Sequence, residues 1–120
     1  MASKIRVRNL SRDVALADQA TVADNFWRRL RGLLGREGLE SGEGLVIVPC
    51  NSVHMLGMRF PLDVLYLDRA GTVLRALPEL RPGQFGPVVW RSHLAVELPA
   101  GTIAATGTVA GDQVVLEPVA

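Results

Sequence analysis

Over most of the chain, apolar and polar residues alternate with a period of two, which is typical of strands that have one covered face. The alternation predicts an opening pair of strands over residues 4–10 and 13–18. After residue 38 the same spacing recurs between turns that contain glycine or proline. It predicts further strands over residues 44–48, 60–68, 72–77, 88–90, 93–98 and 113–117.

One segment departs from this alternation and predicts a single helix. Its apolar residues recur at intervals of three and four, which places them on one side of a helix. They are Val22, Phe26, Leu30 and Leu33. Thr21 followed by Asp24 forms a capping box that predicts the helix start, and Gly35 predicts its end.

Together these elements predict a mainly β fold. We expect a compact antiparallel β-barrel or sandwich-like domain with one amphipathic helix packed on it. No internal repeat or linker interrupts the pattern, so residues 1–120 are expected to form a single domain. The proline-rich segment 78–87 is predicted to be an irregular loop, and residues 102–107 fit neither a helix nor a strand clearly.

The composition narrows the class of protein. With 48% hydrophobic and 21% charged residues, the chain is expected to fold rather than to remain disordered. Few aromatic residues are available to stack on bases, so we expect no nucleic-acid partner. The apolar runs are too short to span a bilayer, no hydrophobic signal region opens the sequence, and one cysteine allows no internal disulfide. A cytoplasmic location without a membrane partner is predicted.

The net charge of +1 hides an asymmetry along the chain. Residues 1–36 carry +5 and residues 37–120 carry −4. The side chains of Arg28, Arg29 and Arg31 are predicted to lie on the solvent side of the helix. This basic face suggests docking onto an acidic protein partner, although such a charge run is more often a solvated surface.

A series of short motifs follows in a fixed order. They are Arg29-Leu-Arg-Gly-Leu-Leu-Gly-Arg36, Gly44-Leu-Val-Ile-Val48, His54 with Met58-Arg-Phe-Pro-Leu-Asp-Val-Leu-Tyr-Leu-Asp68, Val96-Glu-Leu-Pro-Ala-Gly101 and Gly111-Asp112. The series closely resembles domain-of-unknown-function family 192, a bacterial and archaeal group of small proteins, over about residues 10–118. The resemblance implies a mainly β domain with one helix, and it implies no established activity.

The chain departs from this family in two respects. Many members look secreted or membrane-anchored, whereas this sequence shows no leader. Many members also carry a Trp-Met pair and a following Asn-Thr, where this chain has His54-Met55 and Gly57-Met58. A role that depends on that tryptophan is therefore not transferred to this chain.

Asp63 is the most unusual polar residue because it lies inside an apolar strand. A buried carboxylate is costly unless a hydrogen-bonding or cationic partner compensates. Strand alternation places Asp63 on one face with Leu65 and Leu67. It is either a ligand anchor or general base, or a structural group that fixes the strand register, with Arg59, His54 or backbone N–H groups as candidate partners.

Glu97 is the second carboxylate in an apolar strand. It is expected either to pair with Asp63 or to face water opposite the core, and the second arrangement is the commoner one for an alternating strand. Nearby, an imidazole, two thioethers and a thiol invite a copper(I) or zinc interpretation. These groups, His54, Met55, Met58 and Cys50, match no standard ligand spacing. We therefore predict no metal and no cofactor.

Three functional interpretations follow. The preferred one is a binding module whose pocket holds a small polar ligand or a peptide. Its expected ligand-binding residues are Asn51, His54, Asp63 and Glu97. The alternatives are an interaction protein that docks through the basic helix, and an enzyme with Asp63 or Glu97 as general acid or base together with His54. No phosphate-binding or serine-nucleophile motif is present, so the prediction leans away from an enzyme.

Overall fold

The computed structural model describes residues 4–119, and for Phe26 and Leu30 it describes the backbone alone. In this part the chain forms seven strands and two short helices. In order they are β1 (Lys4–Asn9), β2 (Val14–Ala23), α1 (Phe26–Arg31), β3 (Glu43–Ile47), β4 (Leu62–Leu67), β5 (Val73–Leu80), β6 (Leu94–Pro99), α2 (Thr102–Thr106) and β7 (Val114–Pro118).

The seven strands belong to one curled sheet with the order β5-β4-β6-β3-β2-β1-β7. Neighbouring strands are antiparallel except for β2 and β3, which are parallel. At the two ends of the sheet, the Val73 N–H donates to the Asp112 carbonyl at 2.9 Å, and Thr72 bridges to Gln113. The sheet is thus a half-barrel, and the predicted mainly β fold is confirmed.

Apolar residues are buried on both faces of this sheet. The first core contains residues from all seven strands, among them Val7, Leu16, Val46, Leu65, Val73, Val96 and Val114. The second core lies on the opposite face and contains Ala23, Leu33, Leu45, Val53, Met55, Leu62, Val64, Tyr66 and Ala95. All six residues of β4 are buried, as expected for a continuous apolar run covered on both sides.

The predicted start of the helix at Thr21 is wrong. Strand β2 continues to Ala23 and pairs in parallel with β3, so Thr21 lies opposite Leu45. β-branched side chains at residues 21 and 22 suit a strand better than a helix. Asn25 caps α1 instead, because its Oδ1 accepts a hydrogen bond from the Arg28 N–H at 2.9 Å.

The predicted end of this helix is also too late. Helix α1 ends at Arg31, and Gly32 follows with a φ of +49°. The expected apolar stripe is only partly testable, because the Phe26 and Leu30 side chains lie outside the described residues. Of its other members, Val22 lies in β2 and Leu33 is buried in the second core.

Three further segments differ from the prediction. Residues 88–90 are not a strand, whereas β5 extends through Pro78 into the predicted loop. Proline is tolerated there because β5 is an edge strand and not every N–H group needs a partner. Residues 102–106 form the unpredicted helix α2. Within residues 4–119, no helix is long and apolar enough to cross a membrane.

A candidate binding cleft beside Glu97

A cleft of about 290 Å³ opens on the side of the second core. It lies between α1 with the turn that follows, the end of β3 and the segment 49–58. Its apolar wall is formed by Leu33, Leu34, Ile47, Val53, Leu56 and Met58. Its polar lining is formed by Arg29, Arg31, Cys50, Asn51, Ser52, His54 and Glu97. The cleft therefore combines an apolar wall with both signs of charge.

The register of the sheet places Glu97 at this cleft. In β6, Glu97 lies directly opposite Leu45 of β3 and Val64 of β4. Both neighbours belong to the second core, as does Ala95 two residues earlier on the same strand face. Glu97 is 6% exposed. The expectation that it faces water is wrong, because the second core and the segment 49–58 cover this face of the sheet.

The Glu97 carboxyl is buried without a partner. Within residues 4–119 its side chain forms neither a hydrogen bond nor an ion pair. Burial alone raises its pKa from 4.5 to about 7. Its oxygens are not among the described side-chain atoms that are buried without a hydrogen-bond partner, so they reach the open cleft that Glu97 lines.

Two guanidinium groups line the same cleft. The Arg29 side chain is half-buried, and its Nη1 donates to the Val48 carbonyl at a long 3.5 Å. Arg31 is exposed at the rim. Neither arginine forms an ion pair with a carboxylate in the part of the chain that the structure describes. The cleft thus holds positive and negative groups that do not neutralise each other.

Cys50 lines the same cleft as these charged groups. Burial raises the pKa of its thiol, and its hydrogen bond to the Ser52 carbonyl, at 3.1 Å, lowers it. The charge of Glu97 raises the same pKa and the charge of Arg29 lowers it. A thiol with a raised pKa is protonated at neutral pH and is not an activated nucleophile.

Asn51 and His54 are both exposed on the wall of the cleft. His54 Nδ1 accepts a hydrogen bond from the Leu56 N–H at 3.3 Å, and its ring lies 6.4 Å from that of Phe85. Together with Glu97, three of the four predicted ligand-binding residues therefore line one cleft. Arg29 and Arg31 line it as well, so the basic helix and this glutamate share one site.

Tyr66 supports this wall, and sequence reasoning did not assign it a role. The side chain is fully buried in β4. Its hydroxyl accepts from the Val53 N–H at 3.2 Å and donates to the Pro87 carbonyl at 3.1 Å. The first bond ties the segment 49–58 to the sheet, and the second ties the loop at Pro87 to it. The sequence did contain a signal for this role, namely a single tyrosine in an otherwise aliphatic strand. A buried phenol needs a hydrogen-bond partner, so such a tyrosine indicates a contact with another segment.

Asp63 does not line the cleft, contrary to the expected pocket. Its Oδ1 accepts from the Glu79 N–H at 2.8 Å, and its Oδ2 accepts from the N–H groups of Gly101 at 3.1 Å and Ile103 at 2.7 Å. Its position in β4 pairs with Leu98, whereas Glu97 pairs with Val64. Asp63 and Glu97 therefore point to opposite faces of the sheet and cannot act as a carboxylate pair.

The predicted basic face is also divided. Arg28 lies 3.6 Å from the Asp24 carboxylate, one helical turn earlier, and does not line the cleft. Arg29 and Arg31 turn toward the cleft instead. Within residues 4–119, no group of three or more His, Cys, Asp or Glu side chains could hold a metal ion.

Comparison with solved structures supports the fold. A protein of unknown function from Novosphingobium aromaticivorans DSM 12444 superposes with a TM-score of 0.81 at 20% identity, covering 95% of this chain and 84% of the other. A protein from Sinorhizobium meliloti 1021, given as a candidate transcription regulator, has a TM-score of 0.77 at 21% identity, with 97% and 94% covered. At this level of identity the likeness shows a shared fold alone.

Sequence comparison identifies the family. No curated protein matches the chain. The profile of domain-of-unknown-function family 192, described as uncharacterised ACR, matches residues 7–116. This match spans nearly all of the sequence and includes all or part of every strand of the sheet. The chain belongs to domain-of-unknown-function family 192.

Proposed function

We propose that this protein is a binding module that holds a small polar ligand in the cleft beside Glu97. The observation that carries the proposal is the Glu97 carboxyl, which is buried, lacks a partner among the described residues and lines an open cleft. A ligand that donates a hydrogen bond to this carboxyl would gain about 1.5–3 kcal/mol, the net value of a hydrogen bond to a charged group.

The remainder of the cleft supports the same proposal. A volume of about 290 Å³ is at the small end of the range of ligand sites. Most such sites combine an apolar lining with a few convergent polar groups, which here are Glu97, Arg29 and His54. The Tyr66 hydrogen bonds hold one wall in place before a ligand arrives, which reduces the entropy that binding must overcome.

The two alternative functions are less well supported. The enzyme interpretation used Asp63 or Glu97 as general acid or base together with His54. Asp63 accepts three backbone hydrogen bonds outside the cleft, which leaves only Glu97 beside His54 among these carboxylates. Docking through the basic helix relied on three outward-facing arginines, but Arg28 has an ionic partner in Asp24 and the other two line the cleft. We therefore propose ligand binding as the function.

The proposal can be tested by ligand-observed NMR with mixtures of amino acids, sugars, nucleosides, polyamines and organic acids. At least one class should bind the wild-type protein and should lose binding in Glu97→Gln. The matched control is Glu79→Gln, which makes the same chemical change at an exposed carboxylate outside the cleft. Binding of no class, or equal binding by wild type and Glu97→Gln, would refute the proposal.

A further inference from the structure

We infer that the ligand is a free α-amino acid with an apolar side chain, held by its ammonium group at Glu97 and by its carboxylate at Arg29 and Arg31. This inference rests on the proposed function and specifies its ligand class. Three features of the cleft support it: Glu97 has no partner within residues 4–119, Arg29 and Arg31 form no ion pair there, and one wall is apolar.

The first feature indicates a cationic group on the ligand. Glu97 is surrounded by Leu45, Val64 and Ala95 across and along the sheet, and these side chains offer no hydrogen to its oxygens. An ammonium group supplies three N–H donors and a positive charge in a small volume. A neutral hydroxyl would supply one hydrogen and would leave the ionised carboxylate without a counter-charge.

The second feature indicates an anionic group on the same ligand. A guanidinium presents a planar fork of donors that matches a carboxylate in a two-point contact. Among the described residues, Arg29 forms one long side-chain hydrogen bond, to the Val48 carbonyl, and Arg31 is exposed at the rim. Each side chain therefore keeps donors that can turn to a ligand carboxylate.

The separation of the charges argues for a ligand that carries both of them. Arg29 and Glu97 line one cleft and both act on the Cys50 thiol, yet they do not form an ion pair with each other. A molecule that carries both an ammonium and a carboxylate can contact both groups.

The third feature defines the rest of the ligand. The wall beside these charges is formed by Leu33, Leu34, Ile47, Leu56 and Met58. An apolar side chain would be removed from water against this wall, which contributes roughly 25 cal/mol per Å² of buried area. The cleft volume of about 290 Å³ suits a single amino acid better than a nucleotide or an oligosaccharide.

Isothermal titration calorimetry with three probes tests the inference. L-leucine carries both charges, L-leucinamide lacks the carboxylate and resembles a peptide N-terminus, and 4-methylpentanoate lacks the ammonium group. L-leucine should bind, and each analogue should bind at least about tenfold more weakly because a charged hydrogen-bonding contact is lost. Equal binding of leucinamide would overturn the inference in favour of a peptide N-terminus, and absence of leucine binding would overturn it altogether.

Variants assign each end of the ligand. Glu97→Gln should weaken L-leucine at least about tenfold and should hardly change 4-methylpentanoate. Arg29→Gln should weaken L-leucine by a similar factor and leave leucinamide unchanged, whereas Arg28→Gln, on the neighbouring position outside the cleft, should change neither. If Glu97→Gln and Arg29→Gln both bind the three probes as the wild-type protein does, the assignment is refuted.

The two proposals can fail separately. If the NMR screen finds a sugar or an organic acid that binds at Glu97 while L-leucine does not bind, the cleft is a binding site and the ligand class is wrong. If no class binds in a Glu97-dependent manner, both the proposed function and this inference are wrong.

Discussion

At the scale of single residues, two buried carboxylates have opposite roles. Asp63 is fully buried and accepts three backbone hydrogen bonds, so it is a structural group that joins β4 to the end of β5 and to the start of α2. Glu97 is buried, has no hydrogen-bonding or ionic partner within residues 4–119, and lines the cleft. Both carboxylates lie in apolar strands. Their roles differ because, among the described residues, backbone N–H groups reach the Asp63 carboxylate and none reaches the Glu97 carboxylate.

Replacing Asp63 with Asn should therefore lower stability. An amide keeps one acceptor oxygen and turns its NH₂ group toward backbone N–H donors, so at least one buried donor loses its partner. We expect the free energy of unfolding, measured by urea denaturation, to fall by about 2–3 kcal/mol. Asp18→Asn, at an exposed position, should change it little. An unchanged stability in Asp63→Asn would contradict the structural role.

Glu97 should make the stability depend on pH. Its pKa of about 7 lies above the value of 4.5 in the unfolded chain, so the native state binds more protons between these values. The free energy of unfolding should therefore be unaffected below pH 4.5 and should decrease by about 3 kcal/mol as the pH rises through 7. The comparison is urea unfolding at pH 4.5 and pH 8.

The Glu97→Gln variant is the control for this effect, because a neutral amide has no proton to lose. In the variant, the free energy of unfolding at pH 4.5 and that at pH 8 should differ by about 3 kcal/mol less than in the wild type. The variant should be the more stable protein at pH 8. If wild type and variant show the same pH dependence, Glu97 is not buried in its uncharged form.

At the scale of elements, the short helices depend on groups that local sequence does not reveal. Helix α2 follows Gly101, which has no side chain to cap it. Asp63 takes this role from a distant strand, since its Oδ2 accepts from the Gly101 and Ile103 N–H groups. Residues 102–107 therefore fitted no pattern in the sequence. Helix α1 is capped locally by Asn25, but Thr21 and Asp24 supplied a competing signal.

The wall of the cleft depends on a close approach at Gly86. A Cβ atom added there would lie 2.6 Å from the Tyr66 hydroxyl oxygen and 3.1 Å from a Val53 methyl group. Gly86→Ala should push Tyr66 away from Val53 and loosen the segment 49–58. We expect a loss of about 1–3 kcal/mol of stability, measured by urea unfolding, together with weaker ligand binding.

Gly38→Ala is the matched control for this change, because a Cβ atom at Gly38 would meet nothing within 4 Å. It should leave both stability and binding near the wild-type values. A Gly86→Ala protein that unfolds at the wild-type urea concentration would show that the contact between Gly86 and Tyr66 does not hold the wall.

At the scale of the whole molecule, period-two alternation was enough to predict the fold class and the strand faces. It placed Leu65 with Leu67 and separated them from Val64 and Tyr66, and the two cores confirm this division. It could not predict the parallel pairing of β2 with β3, because that contact joins residues on either side of α1. It also could not predict that residues 49–58 pack over Glu97. This packing forms the cleft that is the candidate site.

A polar network closes the other end of the half-barrel. The Arg12 side chain donates to the Asp112 carboxylate at 3.0 Å, and the buried Asn9 amide donates to the same oxygen at 3.0 Å. These contacts, with the Arg12 hydrogen bond the largest cause, lower the pKa of Asp112 to about 2. The network links β1 to the turn before β7, which are far apart in sequence.

This network should contribute to acid unfolding. Since the pKa of Asp112 is lower in the folded protein than the ordinary value of 3.8, its stabilising contribution is present above pH 3.8 and is lost as the pH falls toward 2. Circular dichroism during acid titration should show Asp112→Asn to be less stable at pH 7 and less sensitive to pH between 4 and 2. A variant with the wild-type acid transition would contradict this role.

The most direct test of the account is ¹³C NMR titration of the Glu97 carboxyl from pH 4 to pH 9, without and with L-leucine, with Glu97→Gln to assign the signal. Glu97 shares the cleft with Arg29, Arg31, Cys50 and His54, and a His54→Gln background removes the imidazole. We expect a midpoint near pH 7 in the free protein, which moves to lower pH when the ligand ammonium binds. A midpoint near 4.5, or one that L-leucine does not move, would contradict it.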